Sequence, residues 1–403
     1  MTMARTPSSD SRPPRTPRVP AALAGVILSL GMFGVVLGST VPSGLYSIYQ
    51  RQMGLPDSIT TIVFSFYVVG VVVALVFGGH LSDQIGRRPL VLASIALSIA
   101  SSATLYLAAS ESVLYLGRFL SGLSVGLCTG AFTAALRETV GNRLGAVLST
   151  ALTSLGLAVG PLFSAIVAGR SADPLHTPFL IYGGVGALML AVTLLVPETR
   201  ARVARPRWAP RVGVERAIVR GFIPCALAIA CAYGTNGLFQ SVVPLAMPAV
   251  GTSNQLSMAG ATAVMLGASA VIQVVAIRVT GPWVLGMGLL ILAVGLAGTA
   301  VALGVGSAAL FWFATAVAGV GQGFSFRASL YRVTELASEE RTAQTVSAYY
   351  IAGYAATVVP PLGAGFTGGS AAVPVVCGLL AAVCVATFAL ERRTRDAYPA
   401  PVR

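Results

Sequence analysis

The sequence predicts an all-α polytopic membrane protein, with twelve transmembrane helices arranged as two six-helix bundles. Three observations predict it. Of the 403 residues, 55% are hydrophobic and only 10% are charged, a balance that excludes an ordinary soluble enzyme. The charges fall between apolar runs of the ~20 residues that a bilayer demands. The chain also repeats itself, since Gly122, Gly126, Glu138, Arg143, Ser149 and Pro161 correspond in order, at a nearly constant offset, to Gly319, Gly323, Glu335, Arg341, Ser347 and Pro360. Two parallel copies of a helical unit are an arrangement in which a substrate binds near the midplane between the halves.

Taken in order, residues 1–20 are rich in Ser, Pro and Arg and read as a disordered cytoplasmic tail. The apolar run that follows is too long for a signal-peptide core and lacks a cleavage site, so it reads as the first spanning helix, with the polar end STVPSGLYSIYQ. Asp57 opens the second run, and the charge-free interval from Pro89 to Ser110 holds the third. The fourth follows Glu111, contains Arg118 and ends near Arg137 and Glu138; the fifth and sixth occupy roughly 144–169 and 177–196. These six form a bundle over 21–196. Residues 197–220, with seven Arg and two Glu across ETRARVARPRWAPRVGVERAIVR, read as a cytoplasmic linker. Charge-free intervals at 221–277, 279–326 and 342–390 then hold six more helices, giving a second bundle over 221–391 and a cytoplasmic tail at 392–403.

The formal net charge of +13 does not make a nucleic-acid surface, because the basic residues lie between spanning runs and not along one stripe. They set topology instead. The first tail, the loop at 79–91, the loop at Arg137 and Arg143, the linker, the stretch from Arg327 to Arg341 and the C-terminal ERRTRD fall on one side. The positive-inside rule places that side, with both termini, in the cytoplasm of a cell whose inner membrane holds the protein. All 26 basic residues are Arg, which fits a GC-rich bacterial coding sequence. Cys128, Cys225, Cys231, Cys377 and Cys384 lie in apolar segments without metal-ligand spacing, so no metal and no cofactor is expected. No Gly-x-x-x-x-Gly-Lys loop is present to bind ATP.

The most informative stretch is GHLSDQIGRRPLV, from Gly79 to Val91. Gly79 and Gly86 permit close backbone approach, Asp83, Arg87 and Arg88 can tie a loop to neighbouring helix ends, and Pro89 restarts a helix. This stretch resembles the loop between the second and third helices of the major facilitator superfamily, whose signature runs Gly-x-Leu-x-Asp-x-x-Gly-Arg-Arg. Gly79, Leu81, Asp83, Gly86, Arg87 and Arg88 match it, while Gln84 and Ile85 depart from the usual basic and aromatic residues. The resemblance implies a conformational hinge built from Gly79, Asp83, Gly86, Arg87 and Arg88, with Glu138 as partner of Arg87 and Asp83 facing the eleventh helix. The second half has only RVTGPW at the equivalent place.

Arg118 is the one charge that must lie in hydrocarbon, and such a charge should face a polar cavity unless it snorkels outward. LYLGRFLSGLSVG resembles the superfamily's fourth-helix motif, in which Arg is followed at four-residue steps by Gly, as in Arg118, Gly122 and Gly126. By that resemblance Arg118 serves substrate or proton coupling. Gly122, Gly126 and Gly130 share one helix face and read as a packing ladder. GLAVGPLFSA resembles the fifth-helix motif of the drug:proton antiporter branch; Gly156, Gly160 and Pro161 match, and Ser164 and Ala165 replace the usual glycine pair.

Polar and aromatic residues expected to line a cavity, and to bind substrate with Arg118, are Tyr46, Tyr233, Asn236, Gln240, Gln322, Tyr350 and Tyr354; Ser39, Thr40, Tyr67, Gln273 and Tyr349 are further lining candidates. No Asp or Glu falls within a spanning segment, so the usual intramembrane acid of drug antiporters has no counterpart, and an anionic or neutral substrate suits the charge of Arg118. The sequence thus points to a monomeric alternating-access exporter of a small organic molecule, driven by protons, in contact with the lipid bilayer and with no nucleic-acid partner. Its rival is an importer or facilitator of an organic anion; a receptor or membrane enzyme lacks the residue clusters it would need.

Overall fold

A computed structural model describes residues 19–54, 57–78, 81–200, 212–338 and 341–394. The tails at 1–18 and 395–403, linker residues 201–211, Gly79 and the Asp83 side chain lie outside the described residues. All described regular structure is helical. The long helices are α1 (Ala21–Thr40), α2 (Asp57–Gly78), α3 (Arg87–Tyr106), α4 (Glu111–Val140), α5 (Asn142–Ala168), α6 (Thr177–Thr193), α7 (Val219–Ser241), α8 (Gln255–Val275), α9 (Val284–Val305), α10 (Ala308–Leu336), α11 (Thr342–Thr367) and α12 (Val373–Arg393). Among the described residues, nine helices are long and apolar enough to cross a membrane, and Ile62–Gly78 and Thr177–Thr193 are shorter apolar helices. The Tyr- and Pro-containing α11 is not one of the nine.

Two boundaries differ from the sequence reading. The first apolar run is broken after Thr40, where Pro42 opens a 3₁₀ turn (Val41–Leu45) before a short helix, Tyr46–Met53. Proline has no N–H to continue the α-helical ladder. The stretch from Arg327, expected as loop, is helical to Leu336, because Arg327 and Arg332 find acceptors inside the protein.

The packing follows the repeat. In the first half α4 lies against α2, α3 and α1, α1 against α5, and α3 against α6; in the second, α10 lies against α8, α9 and α7, α7 against α11, and α9 against α12. The halves meet along two seams that the repeat relates, α5 with α8 and α2 with α11. The matching glycines explain why. A methyl on Gly122 would run into the Tyr67 carbonyl of α2, and one on Gly319 into the Met265 carbonyl of α8. Backbone contact at these crossings fixes how the helices meet. Gly130, by contrast, faces open space, so the expected ladder has two functioning rungs, Gly122 and Gly126. Gly122→Leu or Gly319→Leu should lower stability by about 1–3 kcal/mol through overpacking, read as a lower melting temperature, whereas Gly130→Ala should not.

Candidate functional site

Arg118 is 1% exposed, so it points inward and does not snorkel. Its Nη1 donates to the carbonyl of Ser39, at the end of α1 where helix carbonyls lack intrahelical partners. The guanidinium lies 4.7 Å from the ring centroid of Tyr67 and 5.7 Å from that of Phe64, both on α2. Ring faces carry partial negative charge and take up part of the role of a counter-ion. No carboxylate pairs with Arg118 among the described residues, and its Nε has no hydrogen-bond partner. A small cavity beside it is lined by Pro42, Tyr46, Tyr49, Val63 and Leu105 among others.

Tyr67 connects this arginine to the second half. Its ring centroid is 6.5 Å from that of Tyr354 on α11, which stands 5.1 Å edge-on from Tyr233 on α7. Tyr233 in turn lies 5.5 Å from Phe326 on α10 and 6.5 Å from Tyr350 on α11. All five side chains are buried, forming an aromatic cluster that crosses the α2–α11 seam. Asn236 and Gln240, one turn apart on α7, are buried nearby in sequence, and Asn236 Oδ1 has no partner. Tyr46 sits apart from this cluster, packed with Tyr49 in a separate apolar group that includes Val41, Leu45 and Leu114. Gln322 is apart as well, accepting a hydrogen bond from Ser269 of α8.

The charged hinge assembles around the start of α3. Arg87 donates Nε and Nη2 to Glu138 Oε1 of α4, at 3.1 and 2.9 Å. Glu198, just beyond α6, accepts the backbone N–H of Arg87 at 2.8 Å and of Arg88 at 3.2 Å. These are the unsatisfied donors of a helix N-terminus, at the positive end of its dipole. Gly86, the N-cap residue, has φ +100°, and any Cβ there would strike the Glu198 carboxylate. Glycine therefore satisfies the backbone angle and leaves room for the cap. Arg88 returns the contact by donating Nη2 to the Leu194 carbonyl at the end of α6. Thr199 Oγ1 donates to the other oxygen of Glu138.

Glu198 lies in PETR, residues 197–200, at the start of the stretch that reads as the cytoplasmic linker, so its place in the sequence is only topological; the structure makes it the trans-acting cap of α3. The signal available was an acid placed directly at the end of the sixth apolar run, ahead of the Arg-rich stretch. Glu198→Ala should cost about 1 kcal/mol of stability, the usual price of a lost N-cap, seen as a fall in melting temperature that Glu198→Asp partly restores.

The second half has its own charged cluster where the signature loop has no copy. Arg327 of α10 donates Nη1 to the Ala276 carbonyl and Nη2 to the Val279 carbonyl, each at 2.5 Å, and so holds the chain leaving α8. Arg332 pairs with Glu391 of α12 at 2.9 Å, with Glu391 fully buried, and also donates to the Pro282 carbonyl. Basic groups on helix-end carbonyls here replace the backbone-to-acid contacts of the first half.

In α5, Gly156 and Gly160 face α1 at Val36, Leu37 and Thr40, and Pro161 lies within the helix against Gly44. The interface permits close packing of α1 and α5.

Fold and site together define a multi-pass membrane protein of two repeated helical halves, with a buried arginine in one half and charged braces at the helix ends. A model of the Major Facilitator Superfamily matches residues 28–283, and the chain belongs to that family. The chain is similar to the Multidrug resistance protein MdtL of Escherichia coli. It is 30% identical to that of strain UTI89 over 166 residues, covering 40% of this chain and 42% of the relative. For strain ED1a the identity is 32% over 167 residues, with the same coverage. The match thus spans less than half the length of these relatives. Among solved structures, a mutant peptide transporter POT in complex with alafosfalin superposes with a TM-score of 0.74 at 14% identity, covering 94% of this chain and 96% of that one. The same transporter with sulfate gives 0.76 at 15%, covering 93% and 96%. At such identity these structures speak for the fold alone.

Proposed function

We propose that this chain is a secondary transporter that moves a small organic molecule by alternating access between its two halves, and that it works as an exporter. The observation that carries the reading is the buried Arg118, stacked on Tyr67 and joined through Tyr67, Tyr354 and Tyr233 to the opposite half. A cation at the seam-facing side of one half, in contact with aromatic groups that cross the seam, is suited to sense what lies between the halves. The likeness to relatives named multidrug resistance proteins supports export of a drug or metabolite. In this reading all twelve long helices span the inner membrane, the bundles divide at the linker 197–220, both termini are cytoplasmic, and the monomer is the working unit and carries out no chemical reaction.

Arg118, Tyr233, Asn236, Tyr350 and Tyr354 take the substrate, whereas Tyr46, Gln240 and Gln322 support the walls. The hinge at Gly86, Arg87, Arg88 and Glu138, joined by Glu198, keeps α3, α4 and α6 moving as one body. A second reading is an importer or facilitator of an organic anion, favoured by the lack of a carboxylate beside Arg118 among the described residues. Flux of a panel of labelled anions and neutral drugs into inverted vesicles decides between them. Accumulation that requires an imposed proton gradient supports proton-driven export, gradient-independent flux supports the facilitator, and no flux for any compound sinks both.

A further inference from the structure

We propose that α8 carries two reciprocal latches between the halves, Gln273 near its signature-loop end and Gln255 at its opposite end, each holding one face of the molecule shut. The inference rests on the alternating-access reading above.

Gln273 is 1% exposed. Its Nε2 donates to Ser154 Oγ of α5 at 2.9 Å and to Ser269 Oγ of its own helix at 3.0 Å. Ser269 passes the chain on by donating to Gln322 Oε1 of α10, and its hydroxyl lies 3.5 Å from that of Ser154. Four polar side chains, all buried, thus form one network in which Ser154 alone belongs to the first half. Ser154 is reached across the seam by Gln273 Nε2 at 2.9 Å and by the Ser269 hydroxyl at 3.5 Å, so the Gln273 amide makes the shorter of the two links. At the other end of α8, Gln255 Nε2 donates to the Gly44 carbonyl at 2.7 Å. Gly44 follows α1 and sits against the Pro161 carbonyl and Ser164 of α5.

The two glutamines stand about 27 Å apart along α8, at 1.5 Å per residue, close to the ~30 Å of the hydrocarbon core. One stiff helix is therefore tied to the opposite half near both faces at once. Rocking the halves to open one face must break one tie, and it can leave the other in place. Each tie is an amide hydrogen bond without formal charge. A rupture at Gln273 costs the amide one of its two hydrogen bonds, the one to Ser154, which biases the halves toward closure on that face.

Double electron–electron resonance on the full-length protein in lipid nanodiscs tests this. Spin labels at Gln52→Cys and Ala249→Cys report the Gln255 face, and labels at Asn142→Cys and Thr280→Cys report the Gln273 face; all four positions are exposed, and the native cysteines are buried. Gln273→Leu should widen the Gln273-face distance, raising the open population about threefold to tenfold, the range of single interhelical hydrogen bonds in membranes. Gln255→Leu should widen only the opposite face. Ser154→Ala removes the Gln273 bond together with the longer Ser269 contact, with a minimal change of volume, and should widen the Gln273 face at least as much as Gln273→Leu does. Unchanged distances in both glutamine variants, widening of the same face by both, or a silent Ser154→Ala overturns the proposal. Flux is measured in parallel: reciprocal opening in a protein that moves no compound would sink the transport reading while supporting the latches.

Discussion

Arg118→Gln should reduce substrate flux by about tenfold to a hundredfold while the protein still inserts and folds. The estimate follows from the charge-assisted hydrogen bond that a substrate group would lose, about 1.5–3 kcal/mol, at a factor of ten per ~1.4 kcal/mol. Glutamine is the informative replacement because Arg118 has two roles. Its Nη1 caps the end of α1 at Ser39 and its charge stacks on Tyr67; glutamine, shorter by two bonds, keeps a polar amide in the site but gives up the charge, the stacking and the reach to Ser39. Arg118→Lys keeps the charge, yet a compact ammonium cannot donate to Ser39 and lie flat on the Tyr67 ring together. It should therefore recover only part of the flux. Initial rates in inverted vesicles, normalised to folded protein, give the answer. Wild-type flux in Arg118→Gln would reduce Arg118 to a helix cap.

The fold was legible because membrane burial is written one-dimensionally, in runs free of charge, and because the glycines of α4 and α10 repeat at the places where backbones touch. The class of the family could be read from six positions around 79–88. What sequence reading missed are pairings between residues distant along the chain. Glu198 and the N–H groups of Arg87 and Arg88 lie more than a hundred residues apart in sequence, with |i−j| of 111 and 110. Nothing local to PETR says that its acid caps α3. Arg327 and Arg332 fall in the basic stretch 327–341, and charge in a membrane protein reads first as topology. The fold turns them inward, where helix-end carbonyls and Glu391 await them. Polar side chains on apolar helices carry the least directional information: Gln322 and Tyr350 look alike as lining candidates, yet one joins a hydrogen-bond network on α8 and the other an aromatic cluster.

Arg332→Met should destabilise the folded protein by about 3–5 kcal/mol, the scale for stripping one partner from a buried ion pair. Glu391 is fully buried, and Arg332 Nη1 meets its Oε1 at 2.9 Å. Without Arg332, the carboxylate stays at the end of α12 beside the first turn of α9, packed so closely that a Cβ on Gly286 would come within 3.3 Å of its other oxygen. That position is the second half's counterpart of Glu198 at the start of α3, but here the acid is sealed from water, whereas Glu198 is exposed. Screening by solvent weakens charge contacts at the surface and not in the interior. Losing the charge partner should thus cost more in the second half than losing Glu198 costs in the first. The double variant Arg332→Met with Glu391→Leu should recover most of the stability, because removing both charges also removes the cost of burying them. Denaturation of both variants and the wild type in mixed micelles separates the possibilities. A double variant no better than Arg332→Met would mean that Arg332 acts through the Pro282 carbonyl, holding the start of α9, and not through Glu391.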